Sequence, residues 1–518
     1  MKKMIDGDII FVNQYNKSIE GKTVTPVGLV SLCQVLDKEG LKGILCDFNT
    51  LISRNEIIIK GEYYSDQRAM AKYLAGFNTR IVSIYTMANN LHTALTLCSE
   101  IKIMRPDIIT ILAGPQATAV GESILSEFNC VDIIGMGEGE LTICNIVRHL
   151  KNIGLNNLRS VKGLMFREGD SIISTYDENM LINIEDLPFI DYEKIPTGRN
   201  NKDVIEIEVG RGCPFSCVYC STSLFWGRKY RMKSSERIVE EIKYYNSLYD
   251  TKYFLFQHDL FVLDRTRVME VCNRIIAEKI VIKWVCYARL DTLDEEVIAA
   301  MAASGCKQVF IGIESGSERI QRIIGKNLRM ETLNNVLDLL ECYNISFVLS
   351  FIINFPFENE NDINKTLDTM YCINNRYHLK RDMPGTFVSD LCFFPNTPIT
   401  SQYLDELVFD PTKFSAEVGE NTDIPEGIIE MIKDNRVLFS QFYSVGDNSN
   451  RRDIVTIANI LFSSFYHRYY NIVDPVLRIY KGRFLELIDT IISIASNDNK
   501  REVIDEGLVY KALIEIGR

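Results

Sequence analysis

Short apolar runs alternate with longer helical patterns through the first 150 residues of the chain. The runs predict five strands, at residues 9–12, 44–47, 81–85, 108–112 and 132–134. Between the first two, Thr25 as N-cap and Pro26 at the first helical position predict a helix that runs to Glu39 and ends at Gly40. This alternation is typical of a doubly wound parallel sheet, which binds its ligands at the carboxyl ends of its strands.

The periodicity weakens after this region and then returns. Glu168-Gly169-Asp170 predicts a hairpin, and Pro188 and Pro196 mark a linker. Six further strands, each followed by a helical pattern, favour a barrel or partial barrel. These strands are predicted at residues 205–209, 253–256, 283–288, 308–312, 346–353 and 389–393.

The last part of the chain, after about residue 394, reads as helical and aromatic. The predicted fold class is therefore α/β: a Rossmann-like domain with a parallel sheet, a partial (β/α)6 barrel of the TIM type, and a mainly helical C-terminal domain. The corresponding predicted boundaries are residues 1–150, a linker with a hairpin over 151–200, 201–398 and 399–518.

Composition narrows the class of partner and compartment. The 518 residues include 57 Lys and Arg against 69 Asp and Glu, a net charge of −12, so no overall positive field favours nucleic acid or an anionic membrane. Fourteen cysteines are dispersed through the chain, which is typical of a reducing interior. The first residues do not resemble a signal peptide, and no apolar run approaches the ~20 residues of a membrane span. We expect a cytoplasmic protein without a membrane span.

The strongest chemical signal is a cysteine loop directly after the first barrel strand. Cys213, Cys217 and Cys220 follow at spacings of three and two intervening residues. Three thiolates on a short loop can hold three irons of a [4Fe–4S] cluster and leave the fourth iron open. A zinc site or a chance grouping are the alternatives, but a zinc site needs a fourth ligand, and no Cys or His follows until His258.

This loop resembles that of the radical S-adenosylmethionine (SAM) enzymes, and the resemblance extends over about residues 203–398. It implies a [4Fe–4S] cluster, SAM and a reducing, preferably anaerobic compartment. By matching family positions, it also implies five SAM contacts. Two positions depart from the family pattern: Asp259 lacks the usual Gly-Gly-Glu context, and Asn354 replaces a glycine of the turn after the fifth strand. The five are Tyr219, Asp259, Glu314, Lys326 and Ser350.

Several of these residues also have purely structural readings. Glu314 can serve as a cap partner of the next helix, Lys326 as a surface charge, and Asp259 as an Asx-turn residue. Arg289, at the end of the third barrel strand, is a candidate contact to substrate or cofactor, with a structural salt bridge as the equal alternative.

The first domain is similar to the cobalamin-binding domain found in one branch of these enzymes. The similarity rests on the segments 27–40, 106–116 and 135–140. Another nucleotide is the alternative ligand, although no GxGxxG follows the first strand. The resemblance implies a set of cobalamin contacts: Thr25, Gly28, Ser83, Thr86, Gly114, Pro115, Gln116, Gly137 and Glu138.

Histidine placement refines this expectation. Many cobalamin domains outside this branch supply a ligand to cobalt from Asp-x-His-x-x-Gly, whereas His92 and His149 stand outside such a motif. The resemblance therefore implies cobalamin without a histidine below cobalt. His92 is expected to pack near the loop at the start of its helix.

The two resemblances together imply a reaction. A 5′-deoxyadenosyl radical removes hydrogen from an unactivated carbon of a small-molecule or peptide substrate, and methylcobalamin donates a methyl group to it. An external one-electron reductant of the flavodoxin or ferredoxin type is the expected partner. Cyclisation, oxidation or rearrangement without methyl transfer is the alternative among enzymes, and a non-catalytic corrinoid and iron–sulfur carrier or sensor is the alternative from another class.

Overall fold

The fold is described from a computed structural model of the 518-residue chain. The structure describes residues 6–15, 26–177, 181–194, 204–379, 385–418, 424–446, 451–497 and 504–517. Within these ranges, no helix combines the length and the apolar character that crossing a membrane requires.

The first sheet has seven strands in the order β2-β1-β3-β4-β5-β6-β7. The first five are parallel, whereas β6 and β7 form an antiparallel hairpin on the edge beyond β5. The strands are β1 (Ile9–Asn13), β2 (Gly43–Asp47), β3 (Ile81–Tyr85), β4 (Ile109–Ala113), β5 (Ile133–Gly135), β6 (Leu164–Glu168) and β7 (Ser171–Ser174).

Helices connect these strands and cover the sheet. Their apolar stripes pack on the central strands, which are buried on both faces; Ile10 and Phe11, adjacent on β1 and pointing to opposite faces, are both 0% exposed. The helices are α1 (Val27–Lys38), α2 (Phe48–Ser53), α3 (Tyr63–Ala75), α4 (Leu91–Met104), α5 (Pro115–Glu127) and α6 (Ile143–Ile153).

The second large sheet has six parallel strands in the order β15-β14-β13-β12-β11-β8. Successive strands of the chain are therefore neighbours, which is the arrangement of a partial barrel. A two-stranded piece, β9 with β10, follows the first of them. The strands are β8 (Val204–Glu208), β9 (Gly210–Arg211), β10 (Arg231–Met232), β11 (Tyr253–Gln257), β12 (Lys283–Ala288), β13 (Cys306–Glu314), β14 (Ser346–Ile353) and β15 (Gly385–Asp390).

Buried and half-buried residues alternate along these strands, because successive side chains point to opposite faces of the barrel wall. In β14, for example, Phe347, Leu349 and Phe351 are fully buried under the helices, whereas the residues between them are half-exposed on the inner face. The helices are α7 (Thr222–Phe225), α8 (Ser235–Tyr249), α9 (Arg265–Ala277), α10 (Glu295–Ala303), α11 (Glu318–Ile323), α12 (Leu333–Cys342) and α13 (Glu360–Tyr377).

The rest of the chain is mainly helical, with one short hairpin of β16 and β17. Residues Ile460–Phe465 form a π-helical turn between α17 and α18. The elements are α14 (Pro398–Tyr403), β16 (Leu407–Phe409), α15 (Pro411–Val418), α16 (Glu426–Asp434), β17 (Tyr443–Val445), α17 (Arg451–Asn459), α18 (Tyr466–Arg468), α19 (Tyr470–Ile479), α20 (Phe484–Asn497) and α21 (Glu506–Ile516).

The chain forms two compact units whose boundaries differ from a simple division along the sequence. The first unit contains Met1–Asn201, Leu224–Gly227 and Phe393–Gly446, and the second contains Lys202–Ser223, Arg228–Cys392 and Asp447–Arg518. The predicted C-terminal domain of residues 399–518 is thus shared between the units. The predicted linker also contributes structure, because its hairpin continues the first sheet.

Most predicted strands lie within one or two residues of those observed, and the hairpin at Gly169 is confirmed. The last barrel strand is the exception, because it spans Gly385–Asp390 and not residues 389–393. Its register explains the difference: Val348–Ile353 of β14 pair with Gly385–Asp390, which buries Thr386 and Val388. The more apolar run Leu391–Phe393 follows the strand.

Candidate functional site

The three cysteines of the motif lie on one loop at the carboxyl end of β8. Cys217 is 9% exposed, and Cys213 and Cys220 are half-buried. The backbone N–H of Cys220 donates to the carbonyl of Cys217 at 3.1 Å, which closes a tight turn between the last two thiols. All three thiols are free, so the loop presents unpaired sulfur atoms.

A strand end and a helix end each hold this loop by a backbone hydrogen bond. Gly212 has a φ of 85°, and its N–H donates to Oδ2 of Asp259, after β11, at 2.8 Å. The N–H of Val218 donates to the carbonyl of Ile324, after α11, at 3.1 Å. The predicted SAM contact Asp259 therefore has a loop-holding contact in the structure.

The surroundings of the thiols combine burial with positive charge. Burial raises the pKa values of Cys213 and Cys217. The charges of Lys326 and Arg289 act in the opposite direction on the pKa of Cys217. The two cations offset part of the effect of burial on the pKa of Cys217, whose overall shift is upward. The thiolate is the form that binds metal.

The donor set fits a cubane cluster. Each of three irons takes one thiolate in such a cluster, so the sulfur atoms need not converge on a single ion. Among the described residues, no group of three His, Cys, Asp or Glu side chains is placed to hold a single metal ion. The closeness of the three thiols is reflected in their mutual electrostatic effects, which raise the pKa of Cys213 further.

A buried ion pair lies at the end of β13. Nζ of Lys326 lies 2.5 Å from Oε1 of Glu314, and the two side chains are 8% and 9% exposed. Glu314 has a φ of 68° and follows a register shift after Gly312. A Cβ on Gly312 would lie 2.3 Å from Oε1 of Glu314, so glycine leaves the space that the pair occupies.

Tyr219, on the cysteine loop, lies near this ion pair. Burial, followed by the charge of Glu314, raises the pKa of its hydroxyl well above the usual value. Its ring contacts Phe355, after β14, with a centroid distance of 5.9 Å. Ser350 lies on the half-buried inner face of β14, in register with Gly312.

Two residues, Asn354 and Glu358, fix the geometry of the turn after β14 through hydrogen bonds. Asn354 has a φ of 70°, as expected for the residue in place of glycine, and its Nδ2 donates to Asp390 at 2.6 Å. Glu358 accepts the N–H of Phe355 at 3.0 Å, and burial raises the pKa of Glu358 to about 8. Sequence reasoning missed Glu358, although an acid two residues after Pro356 is a local signal for such a turn.

His258 and Arg289 lie at the ends of β11 and β12. Nδ1 of His258 accepts the N–H of Leu260 at 2.9 Å, and burial lowers the pKa of His258 to about 4. The ring is therefore a neutral structural group. Arg289 forms an ion pair with Asp291 at 2.9 Å and is 7% exposed.

The first sheet brings together part of the predicted cobalamin set. Oγ1 of Thr86 donates to the carbonyl of Ala113 at 2.9 Å, and the N–H of Gln116 donates to the carbonyl of Thr86 at 3.3 Å. Gly114 has a φ of 108°, and a Cβ there would lie 2.7 Å from the Thr86 carbonyl oxygen. Thr86, Gly114, Pro115 and Gln116 thus form one junction after β3 and β4.

The other predicted residues of this domain are more dispersed. Gly137 follows β5 with a φ of 65°, and its N–H donates to Thr118 at 3.2 Å. Glu138 accepts the N–H of Ile182 at 2.8 Å, so it holds the linker as well. Gly28 lies in the first turn of α1, and Ser83 is buried within β3. Thr25 lies outside the described residues.

A polar network at the ends of β1 and β2 was missed by sequence reasoning. Nε2 of Gln14 donates to the carbonyl of Tyr85 at 3.0 Å, and Oγ1 of Thr93 donates to Oε1 of Gln14 at 2.7 Å. Asn13 donates to Asp47 at 2.8 Å. These side chains lie at or near the carboxyl ends of the strands. The strand order of the sheet reverses between β1 and β3, and α/β sheets bind ligands at such a point.

Neither histidine of the first domain has a ring positioned at this edge as a ligand. His92 is 1% exposed and packs against Tyr63, Phe414 and Phe442. Burial lowers its pKa to about 4. His149 lies late in α6, with Nε2 2.7 Å from the carbonyl oxygen of Asn156. The expected packing role of His92 is confirmed.

Two family models match the chain in the order of its two large sheets. The B12 binding domain matches residues 20–147, and the radical SAM superfamily matches residues 207–370. An uncharacterized methyltransferase of Pyrococcus horikoshii is 28% identical over 404 residues, covering 76% of this chain and 84% of that protein. An anaerobic magnesium-protoporphyrin IX monomethyl ester cyclase of Cereibacter sphaeroides is 23% identical over 400 residues, covering 75% of this chain and 62% of that protein.

A solved structure shows the same fold. The cobalamin-dependent SAM radical enzyme OxsB, with aqua-cobalamin and SAM bound, has a TM-score of 0.66 and 16% identity, covering 98% of this chain and 79% of that one. The two family models define the cofactors: a [4Fe–4S] cluster and SAM for the radical SAM domain, and cobalamin for the B12 binding domain. The chain therefore contains a B12 binding domain followed by a domain of the radical SAM superfamily.

Proposed function

We propose that the protein is a C-methyltransferase that acts on an unactivated carbon of a natural-product or peptide substrate. When bound, its cofactors supply reductive cleavage of SAM to a 5′-deoxyadenosyl radical and a transferable methyl group on cobalamin. The observation that carries the proposal is the placement of His92 and His149, whose rings are used in packing and in a backbone contact. With both rings engaged in this way, neither would hold cobalamin, which would supply a transferable methyl group when bound.

In this proposal, the mouth of the barrel binds the cluster and SAM. Cys213, Cys217 and Cys220 hold the three irons, and their loop is fixed by hydrogen bonds from Gly212 and Val218. Glu314 and Lys326 offer opposite charges to the aminoacyl group of SAM, since a charged ligand can exchange partners with a preformed pair.

Aromatic and polar groups of the same mouth orient the rest of SAM. Tyr219 presents an aromatic face on the cysteine loop, beside Phe355, for the adenine ring. Ser350 offers a hydroxyl to the ribose from the inner face of β14. Asp259 is assigned to the methionyl amine in addition to its contact with Gly212.

The edge of the first sheet binds cobalamin in this proposal. Gly28, Gly114 and Gly137 allow the close approach of a large ligand. Thr86, Pro115 and Gln116 form the wall after β3 and β4. Ser83, Glu138 and Thr25 complete the proposed set of contacts.

A substrate-free assay separates the possible functions. The anaerobically reconstituted protein, with bound cobalamin, is incubated with dithionite and SAM whose methyl group carries deuterium. A methyltransferase should form labelled protein-bound methylcobalamin, S-adenosylhomocysteine and 5′-deoxyadenosine. A cyclase, oxidase or rearrangement enzyme should form 5′-deoxyadenosine without labelled methylcobalamin, and a carrier or sensor should form neither product.

The cyclase reading is the second candidate because of the Cereibacter sphaeroides relative. Mass spectrometry separates it from methylation once a substrate is turned over. A gain of one labelled methyl group supports methyl transfer, and a loss of hydrogen without that gain contradicts it. The external one-electron reductant and the reducing, anaerobic setting remain part of this proposal.

A further inference from the structure

Arg289 makes contacts that tie the cysteine loop to two other parts of the barrel. It follows β12 directly, and its guanidinium lies 3.8 Å from the ring centroid of Phe215. Phe215 stands between Cys213 and Cys217 in the sequence. A guanidinium at this distance from an aromatic ring makes a cation–π contact, which is stronger where water is excluded.

The same guanidinium also contacts backbone and carboxylate groups. Nη2 donates to the carbonyl of Lys326 at 2.8 Å, and Nε and Nη2 donate to the two carboxylate oxygens of Asp291, each at 2.9 Å. The carbonyl of Lys326 belongs to the residue whose side chain pairs with Glu314. Arg289 is therefore bound to the cysteine loop, to the end of its own strand and to the segment that carries the buried ion pair.

The charge of Arg289 is not cancelled by its carboxylate partner. The side chain of Arg289 is 8% exposed, whereas that of Asp291 is 46% exposed. Solvent screens the exposed charge more strongly than the buried one, so a net positive field remains on the side of the cysteine loop.

We propose that Arg289 is a positioning residue that clamps the cysteine loop through Phe215 and raises the reduction potential of the cluster held there. Reduction adds one negative charge, which a nearby buried cation stabilises. This inference rests on the proposed cluster ligands. It assigns Arg289 to the cluster loop and not to the substrate.

Three variants separate the clamp from the charge. Arg289→Gln removes both, Arg289→Lys keeps the charge without the planar stacking group, and Phe215→Leu removes the aromatic face without any change of charge. Arg376→Gln is the matched control, because Arg376 also pairs with a carboxylate, that of Asp338, and lies 5.8 Å from a ring centroid, that of Tyr377. It is on α13, away from the cysteine loop in the sequence and in its contacts.

Two readouts are measured on anaerobically reconstituted protein without substrate. The first is the rate at which an iron chelator removes the cluster. The second is the midpoint potential, from a redox titration with dithionite followed by electron paramagnetic resonance. We expect faster cluster loss in all three variants, and a more negative potential in Arg289→Gln alone. A tenfold weaker reduction equilibrium corresponds to a shift of about 59 mV for one electron.

The outcomes distinguish this inference from the proposed function. If Arg289→Gln and Arg289→Lys retain the cluster and the potential of the wild type, the inference is wrong, even though the wild type holds a cluster. If Arg289→Gln holds no cluster, Phe215→Leu and Arg289→Lys decide, since wild-type rates in both would contradict the clamp. A wild-type protein that binds no cluster would contradict the proposed function itself.

Discussion

The mouth of the barrel and the edge of the first sheet are both formed where parallel strands end, yet they are built differently. At the mouth, the thiols share one loop of eight residues, Cys213 to Cys220, and buried charges surround it. At the edge of the first sheet, the groups are mainly backbone and side-chain dipoles spread over five strand ends, with two carboxylates, Asp47 and Glu138, among them. The site at the mouth of the barrel therefore depends on thiols and buried charges, whereas the site at the edge of the first sheet depends on room for a ligand.

The largest expected effect comes from removing a thiol at the mouth. Cys217→Ala should abolish 5′-deoxyadenosine formation and lower the bound iron, because one iron loses its protein ligand. Bound cobalamin should be unchanged, since its proposed contacts lie on the first sheet. Product chromatography and iron analysis test this, with Cys342→Ala, an exposed cysteine on α12, as the control. Retention of full iron and product by Cys217→Ala would contradict the cluster assignment.

Two buried ion pairs of the second unit offer a sharper contrast. Lys233, after β10, pairs with Glu241 of α8 at 2.8 Å with side chains 2% and 3% exposed, whereas Lys326 pairs with Glu314 at the end of β13. Lys233→Met should lower the free energy of unfolding by about 3–5 kcal/mol, because Glu241 is left buried without its partner. Lys326→Met should weaken SAM binding by about tenfold, or about 1.4 kcal/mol.

Denaturant unfolding and equilibrium dialysis with SAM measure the two effects on the same pair of variants. Lys233→Met serves as the control for the binding experiment, since any loss of SAM binding through general destabilisation should appear there first. Equal SAM affinity in the wild type and Lys326→Met would remove Lys326 from the proposed site.

Gly114 tests the role of space at the edge of the first sheet. A Cβ there meets the Thr86 carbonyl oxygen at 2.7 Å, and the positive φ of 108° adds roughly 1–2 kcal/mol of backbone strain. Gly114→Ala should therefore retain less cobalamin after gel filtration, with unchanged iron. Gly40→Ala is the control because Gly40 has a φ of 70° but open space around its Cβ position. Equal cobalamin loss in both variants would mean that strain alone is responsible.

The smallest expected effect concerns His258. Its folded pKa of about 4 lies below the unfolded value of about 6.5, so the unfolded chain binds the proton more tightly between these values. Stability should fall as the pH drops from about 6.5 towards 4, with a contribution of up to about 1.4 kcal/mol per pH unit. Above pH 6.5 the histidine contributes no pH dependence.

Trp284, which is buried in β12, reports this change by fluorescence in a Trp226→Phe background. Urea unfolding at pH 5 and pH 7.5 should show a smaller difference for His258→Gln than for the parent. His92→Phe is the matched control, because its buried ring belongs to the first unit. An unchanged pH difference in His258→Gln would show that other groups are responsible.

The barrel site was more predictable than the cobalamin edge for a physical reason. Cys213, Cys217 and Cys220 are adjacent in sequence, and Glu314 is only 12 residues from Lys326, so local patterns carry much of this site. In contrast, Gln116 donates to the carbonyl of Leu438, 322 residues away. Nothing in the residues around Gln116 indicates that partner.

The misplaced strand shows a second limit. Residues 385–393 contain two overlapping stretches that can form a strand, and the more apolar one was chosen from the pattern. Register against β14 favours the earlier stretch, and the bond from Asn354 to Asp390 marks its end. Such competition is decided by cross-strand partners, which a single sequence does not reveal.

The return of residues 393–446 to the first unit has a consequence for synthesis of the chain. Phe414 and Phe442 pack on His92, and Leu438 accepts the hydrogen bond of Gln116. A ribosome must therefore make the whole barrel sheet before it supplies these partners. Until then, the core of the nascent first unit is incomplete around His92. Chaperones or proteases can bind this incomplete core before its partners are made.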